Sequence, residues 1–487
     1  MNTPIFNALK RYVDSNPVSF YMPGHKHGRG LPQEFVDYIP KIDVTEIPGT
    51  DNLHFPETII KEAQDLAAQL FGADRTFFLI NGSSCGILAS ILTLCNHNDK
   101  LIIGRNCHRS VVASLTLAGA VPIYVAPEYN EEYGVSAHIT PESIEKAIVK
   151  NPDCKGVFIT SPNFYGVCSN IREIAKVCHH YGKPLFVDEA HGPHLKFHQE
   201  LPESAMEGGA DICIQSAHKT LLALTQASLL HVRSDLIDAN TLKHILVMIQ
   251  TTSPSYILMS SLDIAREILA TQGEKLLGEL LDNIKLFKLK MQVLTRLSIV
   301  DQKTDVFNFD PTRLVIHCRR LGISGFDLDR ELRNRFNVQP ELCDLYNVVF
   351  ITTMDNVKED FDALFNALVV IHEENKYHDE LPLKNMRLDT IPQQKYVPSD
   401  AFSMTSVRVP LAESEGRIST ASVVPYPPGI PVLCPGEEIT KTSIEYIEMI
   451  LDLGGNVNNI DSARTIEVVA KADIEQYEEE NCSDGDG

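Results

Sequence analysis

No stretch of this chain is long and apolar enough to span a bilayer. Its first residues, Met1-Asn2-Thr3-Pro4-Ile5, lack a charged segment followed by a long apolar run. Neither a membrane-spanning protein nor a secretory leader is expected. Paired CxxC spacing is missing as well. The 11 cysteines are scattered, odd in number and often set in apolar runs, as at Cys95, Cys178 and Cys213. That argues against a disulfide framework and for reduced thiols in the cytoplasm. Positive charge is short: the formal net charge is −22. Nucleic acid is therefore an unexpected partner, while a cationic small molecule is compatible. No G-x-x-x-x-G-K-[ST] loop precedes Asp188-Glu189-Ala190-His191, so this helicase-like spelling has no means of holding ATP. Tryptophan is absent, which excludes nothing, and there is no internal repeat.

The 487 residues and their 44% hydrophobic content suffice for two or three globular domains. Residues 1–57 form an irregular N-terminal segment rich in Pro, Gly and His, with loops at 22–30 and 47–52. From 58 to 300 helix and strand patterns alternate. Strands are predicted at 76–80, 101–104, 122–125, 156–160, 184–187 and 211–215, with helices at 59–70, 85–94 and 171–180 and a long one over 260–295. Such alternation predicts a mostly parallel sheet covered on both faces. A smaller α/β unit occupies 301–373, a polar Pro-containing linker 374–400 and a C-terminal domain 401–474. The acidic tail 475–487 is expected to be disordered.

The chemistry centres on Gln215-Ser216-Ala217-His218-Lys219, directly after the apolar run Ile212-Cys213-Ile214. Lysine is the side chain whose amine forms a Schiff base with an aldehyde, and partial desolvation helps it deprotonate. Ser216 and His218 suit a phosphate. Upstream, Asn81-Gly82-Ser83-Ser84 sits between a predicted strand and helix. Gly82 lets the backbone approach an anion, and Ser83 and Ser84 add hydroxyl donors at a helix N-terminus. Asp188 ends a strand, where a carboxylate points into the ligand crevice and can keep a pyridinium nitrogen protonated. His108 follows another strand and is placed to stack on a ring; alone it reads as a structural histidine. Phosphate cradle, stacking His, acidic ring partner and then Ser-x-His-Lys is the order of a fold-type I pyridoxal 5'-phosphate (PLP) enzyme.

These elements, with Tyr21-Met22-Pro23-Gly24-His25-Lys26, Phe71-Gly72-Ala73-Asp74, Arg105-Asn106-Cys107-His108, Thr252-Ser253-Pro254-Ser255-Tyr256, Gly416-Arg417-Ile418, Pro425-Tyr426-Pro427-Pro428-Gly429-Ile430-Pro431 and Pro435-Gly436-Glu437, give the chain a resemblance to the Orn/Lys/Arg decarboxylases. The likeness runs over nearly the whole length and is strongest toward the short, wing-less bacterial biosynthetic arginine decarboxylases. It implies an aspartate-aminotransferase-like (fold type I) domain, a smaller α/β domain and a C-terminal α+β domain. It also implies PLP on Lys219, decarboxylation of a basic amino acid in polyamine synthesis, and a homodimer with active sites at the interface. His218 is the candidate proton donor, with Lys219 as the alternative, and His191 lines the cofactor pocket. Asp51, Glu413 and Glu415 are candidate partners for a cationic side chain. One departure stands out: the family's usual Thr-Pro-Thr-Tyr is here Ser161-Pro162-Asn163-Phe164.

Several rivals stand beside this. Lysine or ornithine is an alternative substrate. Another fold-type I reaction, such as transamination or aldol cleavage, uses the same cofactor elements. A catalytically dead homologue acting as a binding subunit is disfavoured by the intact Lys219, Asp188, Ser83 and Ser84. Gly82-Ser83-Ser84-Cys85-Gly86 also fits a G-x-S-x-G elbow, making Ser84 a hydrolase nucleophile. His191, His194 and His198 have metal-like spacing, but Gly192 and Pro193 oppose a regular helix, so no metal is expected. His25-Lys26-His27 with Arg29 reads as a basic loop near the site entrance.

Overall fold

Four consecutive buried residues, Leu185–Asp188, form the middle strand of a seven-stranded sheet. A strand apolar on both sides must be covered on both sides, and helices supply the cover. In this computed structural model, which describes residues 2–301, 307–383, 391–426 and 429–482, the sheet order is Arg75–Leu79, Ser228–Val232, Ile212–Gln215, Leu185–Asp188, Val157–Thr160, Lys100–Gly104, Val121–Val125. Five of these strands, from Ile212–Gln215 to Val121–Val125, run parallel. Ser228–Val232 is antiparallel to both of its neighbours and was not foreseen. Its His231 and Ser228 interrupt the apolar pattern, but both are buried, and His231 bonds Thr76 Oγ1 (2.8 Å) and Gln215 Oε1 (3.0 Å).

The carboxyl ends of the parallel strands share one edge. Asp188, Ser216 and the 105–108 loop therefore meet there, joined by the start of helix Gly82–Leu94 after Arg75–Leu79. The long helix Tyr256–Met291 leads to a four-stranded antiparallel sheet, Ser298–Val300, Arg313–His317, Asn347–Ile351 and Leu342–Cys343, backed by helices Gly325–Phe336 and Lys358–Asn375. The C-terminal part pairs Ser406–Pro410 with Thr465–Val469 around helix Lys441–Asp452.

Two expectations change. The N-terminal segment is not wholly irregular: Pro4–Asp14 is a helix, with Pro4 in its first turn, where a missing N–H costs nothing. The tail expected to be disordered is helical over Lys471–Cys482, and Tyr477 there donates to Asp400 Oδ2 at 3.0 Å. Residues 483–487, the linker positions 384–390, and Pro427 and Pro428 of the proline motif lie outside the described residues. In the basic loop His27 and Arg29 are exposed, but Lys26 is not. Lys26 is 3% exposed and donates to the carbonyls of Tyr21 (2.7 Å) and Ile351 (3.1 Å). Burial pulls its amine down to about 7 against the nearby carboxylates of Glu341 and Asp360.

This segment ties the small domain to the lysine turn. Val18–Phe20 pairs in parallel with Val338–Pro340, Gly24 N–H donates to the His218 carbonyl at 2.8 Å, and Thr353 Oγ1 donates to the Gly24 carbonyl at 2.7 Å. A Cβ on Gly24 would overlap the Leu221 carbonyl oxygen, a backbone atom that cannot swing aside. Gly24→Ala is expected to cost at least about 1–3 kcal/mol in denaturant unfolding; an unchanged midpoint would show that the turn yields freely.

Candidate active site

Lys219 sits on the helical turn Ala217–Thr220 that follows Ile212–Gln215. Its Nζ lies 3.0 Å from His191 Nε2. Burial lowers the basicity of the amine; the Asp188 and Glu341 carboxylates oppose that shift and Arg313 adds to it. Asp188 ends Leu185–Asp188, is 3% exposed, and accepts from Ala190 N–H at 3.1 Å. Burial raises its pKa, while the Lys219 charge and that N–H pull it down. The adjacent Glu189 points elsewhere, as strand alternation requires. Its oxygens accept from Ala205 N (2.7 Å), Gln215 Nε2 (2.7 Å) and Cys213 Sγ (3.2 Å). Only Asp188 is therefore left for the crevice.

The residues expected to cradle an anion are brought together. Helix Gly82–Leu94 starts beside Ser216, whose Oγ donates to Ser83 Oγ at 2.8 Å. Gly82 has φ of +75° with open space where a Cβ would sit, so its surface can approach an anion closely. Ser84 lies in the same first turn. Among the described residues no histidine bonds the Ser84 hydroxyl, so the geometry offers no support for Ser84 as a nucleophile at this elbow.

His108 caps helix Arg109–Ala118, taking the Ser110 N–H on Nδ1 at 3.2 Å. Burial and the Lys219 charge hold its pKa at about 4, so the ring is neutral. His218 Nδ1 lies 3.2 Å from the Ala227 carbonyl, which can only accept, and burial likewise holds its pKa at about 4. A neutral His218 thus has its one ring proton committed to Ala227. That weakens it as the proton donor.

His191 contacts the lysine directly. Arg313 Nη2 is 2.9 Å from its Nδ1 and 3.2 Å from its carbonyl oxygen, and Phe164 packs edge-on at 5.0 Å between centroids. The metal reading of the three histidines dissolves: His194 bonds Asp310 and Thr312, and His198 Nδ1 accepts from Glu200 N. The departure at 163–164 is also explained. Asn163 braces its turn, donating to the Ser136 carbonyl (2.7 Å) and accepting from Tyr165 N and Val167 N (3.0 Å each), while Phe164 buttresses His191.

The three substrate candidates are not gathered here. Glu413 and Glu415 are exposed on the C-terminal domain. Asp51 caps the start of helix Ile59–Phe71, accepting from the amides of Asn52 (2.9 Å), Glu57 (3.0 Å), Thr58 (2.8 Å) and Ile60 (3.0 Å). Its carboxylate is spent on backbone. Two charged groups beside Lys219 were missed instead. Glu341 accepts the Met22 N–H at 2.9 Å and faces Lys219 electrostatically. Arg313 is 0% exposed, and its Nε and Nη1 have no partner among the described residues, leaving donors for an anion. A lone arginine in the apolar run Arg313–His317 was the available signal.

A half-buried, largely desolvated amine, a carboxylate behind it, a neutral ring and residues that can cradle an anion fit a phosphorylated aldehyde cofactor. The sequence profile described as "Orn/Lys/Arg decarboxylase, major domain" matches residues 3–360, and that of the C-terminal domain matches 382–457. The chain belongs to the Orn/Lys/Arg decarboxylase family. This decarboxylase is 41% identical over 467 residues to an arginine decarboxylase of Bacillus subtilis (strain 168), covering 93% of this chain and 94% of that one. It is 38% identical to an arginine decarboxylase of Bacillus anthracis over 462 residues, with 93% and 94% covered. Lysine decarboxylase A from Pseudomonas aeruginosa shares the fold, with a TM-score of 0.76 at 23% identity over 96% of this chain and 80% of that one.

Asp51 generates a pH prediction. Burial pushes its pKa up, but the four amides win and hold it at about 2, below the ordinary 3.8. A depressed carboxylate stabilises above its unfolded pKa and loses that contribution as pH falls toward 2. Asp51→Ala should therefore cost about 1 kcal/mol near neutrality, with the wild-type and variant unfolding curves converging below pH 3. A constant gap down to pH 2 would contradict the capping role.

Proposed function

We propose that this decarboxylase uses PLP to convert L-arginine to agmatine and carbon dioxide, as a cytoplasmic homodimer serving polyamine synthesis. The observation that carries the reading is the Lys219 amine, desolvated and set between Asp188 and His191. The relatives named arginine decarboxylase, alike over nine-tenths of the chain, support the substrate. Relatives named lysine decarboxylase are more distant, at 25% identity or below in the Pseudomonas aeruginosa and Escherichia coli proteins, and keep lysine as the second reading.

Ser83, Ser84, Ser216 and the amides opening helix Gly82–Leu94 would hold the phosphate, His108 would cover the ring face, and Asp188 would face the ring nitrogen. When bound, PLP supplies the electron sink for the bond between Cα and the departing carboxylate. Asp188 would sustain that sink only as an anion, a form its burial disfavours and a neighbouring positive charge would restore. Arg313, with two unpaired donor positions, is placed to orient the substrate carboxylate. His108 and Phe164 keep bulk water from the reacting face. His218 is poorly set to return a proton to Cα, because its ring proton is held by Ala227. A cationic side chain needs an acid: Glu341 supplies one within the chain, and Glu413 and Glu415 would have to come from the partner copy.

Incubation with PLP and each of arginine, lysine and ornithine, followed by identification of the amine, tests the reading. Agmatine is expected; cadaverine or putrescine would change the substrate, and no amine from any of them would overturn decarboxylation. Lys219→Ala should lower kcat roughly a thousand-fold or more, and retained turnover would refute its role.

A further inference from the structure

Arg313, His191 and Lys219 form a line of nitrogens with one consistent proton assignment. A guanidinium carries only donors. Arg313 Nη2, 2.9 Å from His191 Nδ1, therefore requires that Nδ1 present its lone pair. In a neutral ring the single proton must then sit on Nε2. His191 is neutral: burial drives its pKa well down, and the charges of Lys219 and Arg313 add to the effect. Nε2–H can only donate, and its neighbour at 3.0 Å is Lys219 Nζ. An ammonium has no lone pair to receive that proton, whereas a free amine has one. Phe164 packed against the ring and the second Arg313 contact, to the His191 carbonyl at 3.2 Å, resist a ring flip that would put carbons where the nitrogens sit.

We propose that Arg313 is a positioning residue that acts through His191, fixing the ring's tautomer so that Nε2–H donates to Lys219 and holds it as a free amine. The inference deepens the reading of Lys219 as the carbonyl-reacting lysine. It gives that lysine a built-in means of staying nucleophilic whenever its nitrogen is released. The other charged and titratable groups facing the amine are Asp188 and Glu341, which favour its protonation, and His108 and His218, both neutral. Two carboxylates pulling toward the ammonium are why a dedicated donor is needed.

The test reads the amine itself. The full-length chain, freed of bound aldehyde with cysteine, is labelled with trace acetic anhydride from pH 6 to 10, and acetylation of Lys219 is followed by peptide mass spectrometry. Lys219 is partly exposed, so the reagent has access. Wild type should label at lower pH than a solvent-exposed lysine does. In Arg313→Met and His191→Phe, both checked for wild-type circular dichroism and a cooperative thermal transition, the profile should move up by about one pH unit, a several-fold loss of labelling at pH 7 with recovery at high pH. Arg313→Lys, which restores a cationic donor, should move the profile back toward wild type. If Arg313 acted by its field alone, His191→Phe would leave the profile in place. That result, or a wild-type profile in Arg313→Met, overturns the proposal. Cofactor binding does not enter the measurement, so a failure of the PLP reading would appear separately in the product assay.

Discussion

The desolvation of one amine governs the architecture around it. A lysine at the edge of a parallel sheet, taken out of water, gives up its proton more readily than an exposed one. It then needs acceptors and donors arranged for the neutral form. The sheet supplies Asp188 from the neighbouring strand, in register with Ile214 just before the lysine turn. The small domain supplies Arg313 and Glu341, and the loop after Asp188 supplies His191. Each group comes from a different part of the chain, so the site exists only when the domains have docked.

That docking explains the N-terminal segment. Its short strand pairs with the small domain, its glycine sits on the lysine turn, and Lys26 is sunk between carbonyls contributed by both. Arg29 extends the seam, reaching Asp360 at 2.7 Å. A segment that looks like a loop in composition is in mechanical terms a clasp across the site.

Much of this was legible in the residues. Contiguous apolar runs located the buried parallel strands, and the residues at their carboxyl ends, Asp188, His108 and Ser216 to Lys219, fall on one edge as strand polarity demands. What stayed hidden was tertiary. Nothing in the spacing tells that Arg313 meets His191, that Glu341 turns toward Lys219, or that the Asp51 carboxylate is consumed by a helix start. Ser228–Val232 escaped because its polar His231 finds buried partners across the sheet. The amphipathic helix Pro4–Asp14 escaped because a proline at its first turn reads as a breaker. In both cases a local rule was outweighed by where the polar group ends up.

The central claim is that the amine at position 219 is the one that takes the cofactor. Borohydride reduction of the PLP-loaded enzyme, followed by peptide mapping, tests it most directly. The account predicts a pyridoxyl adduct on Lys219. An adduct on another lysine, Lys26 included, or a loaded enzyme with an unmodified Lys219, would contradict it.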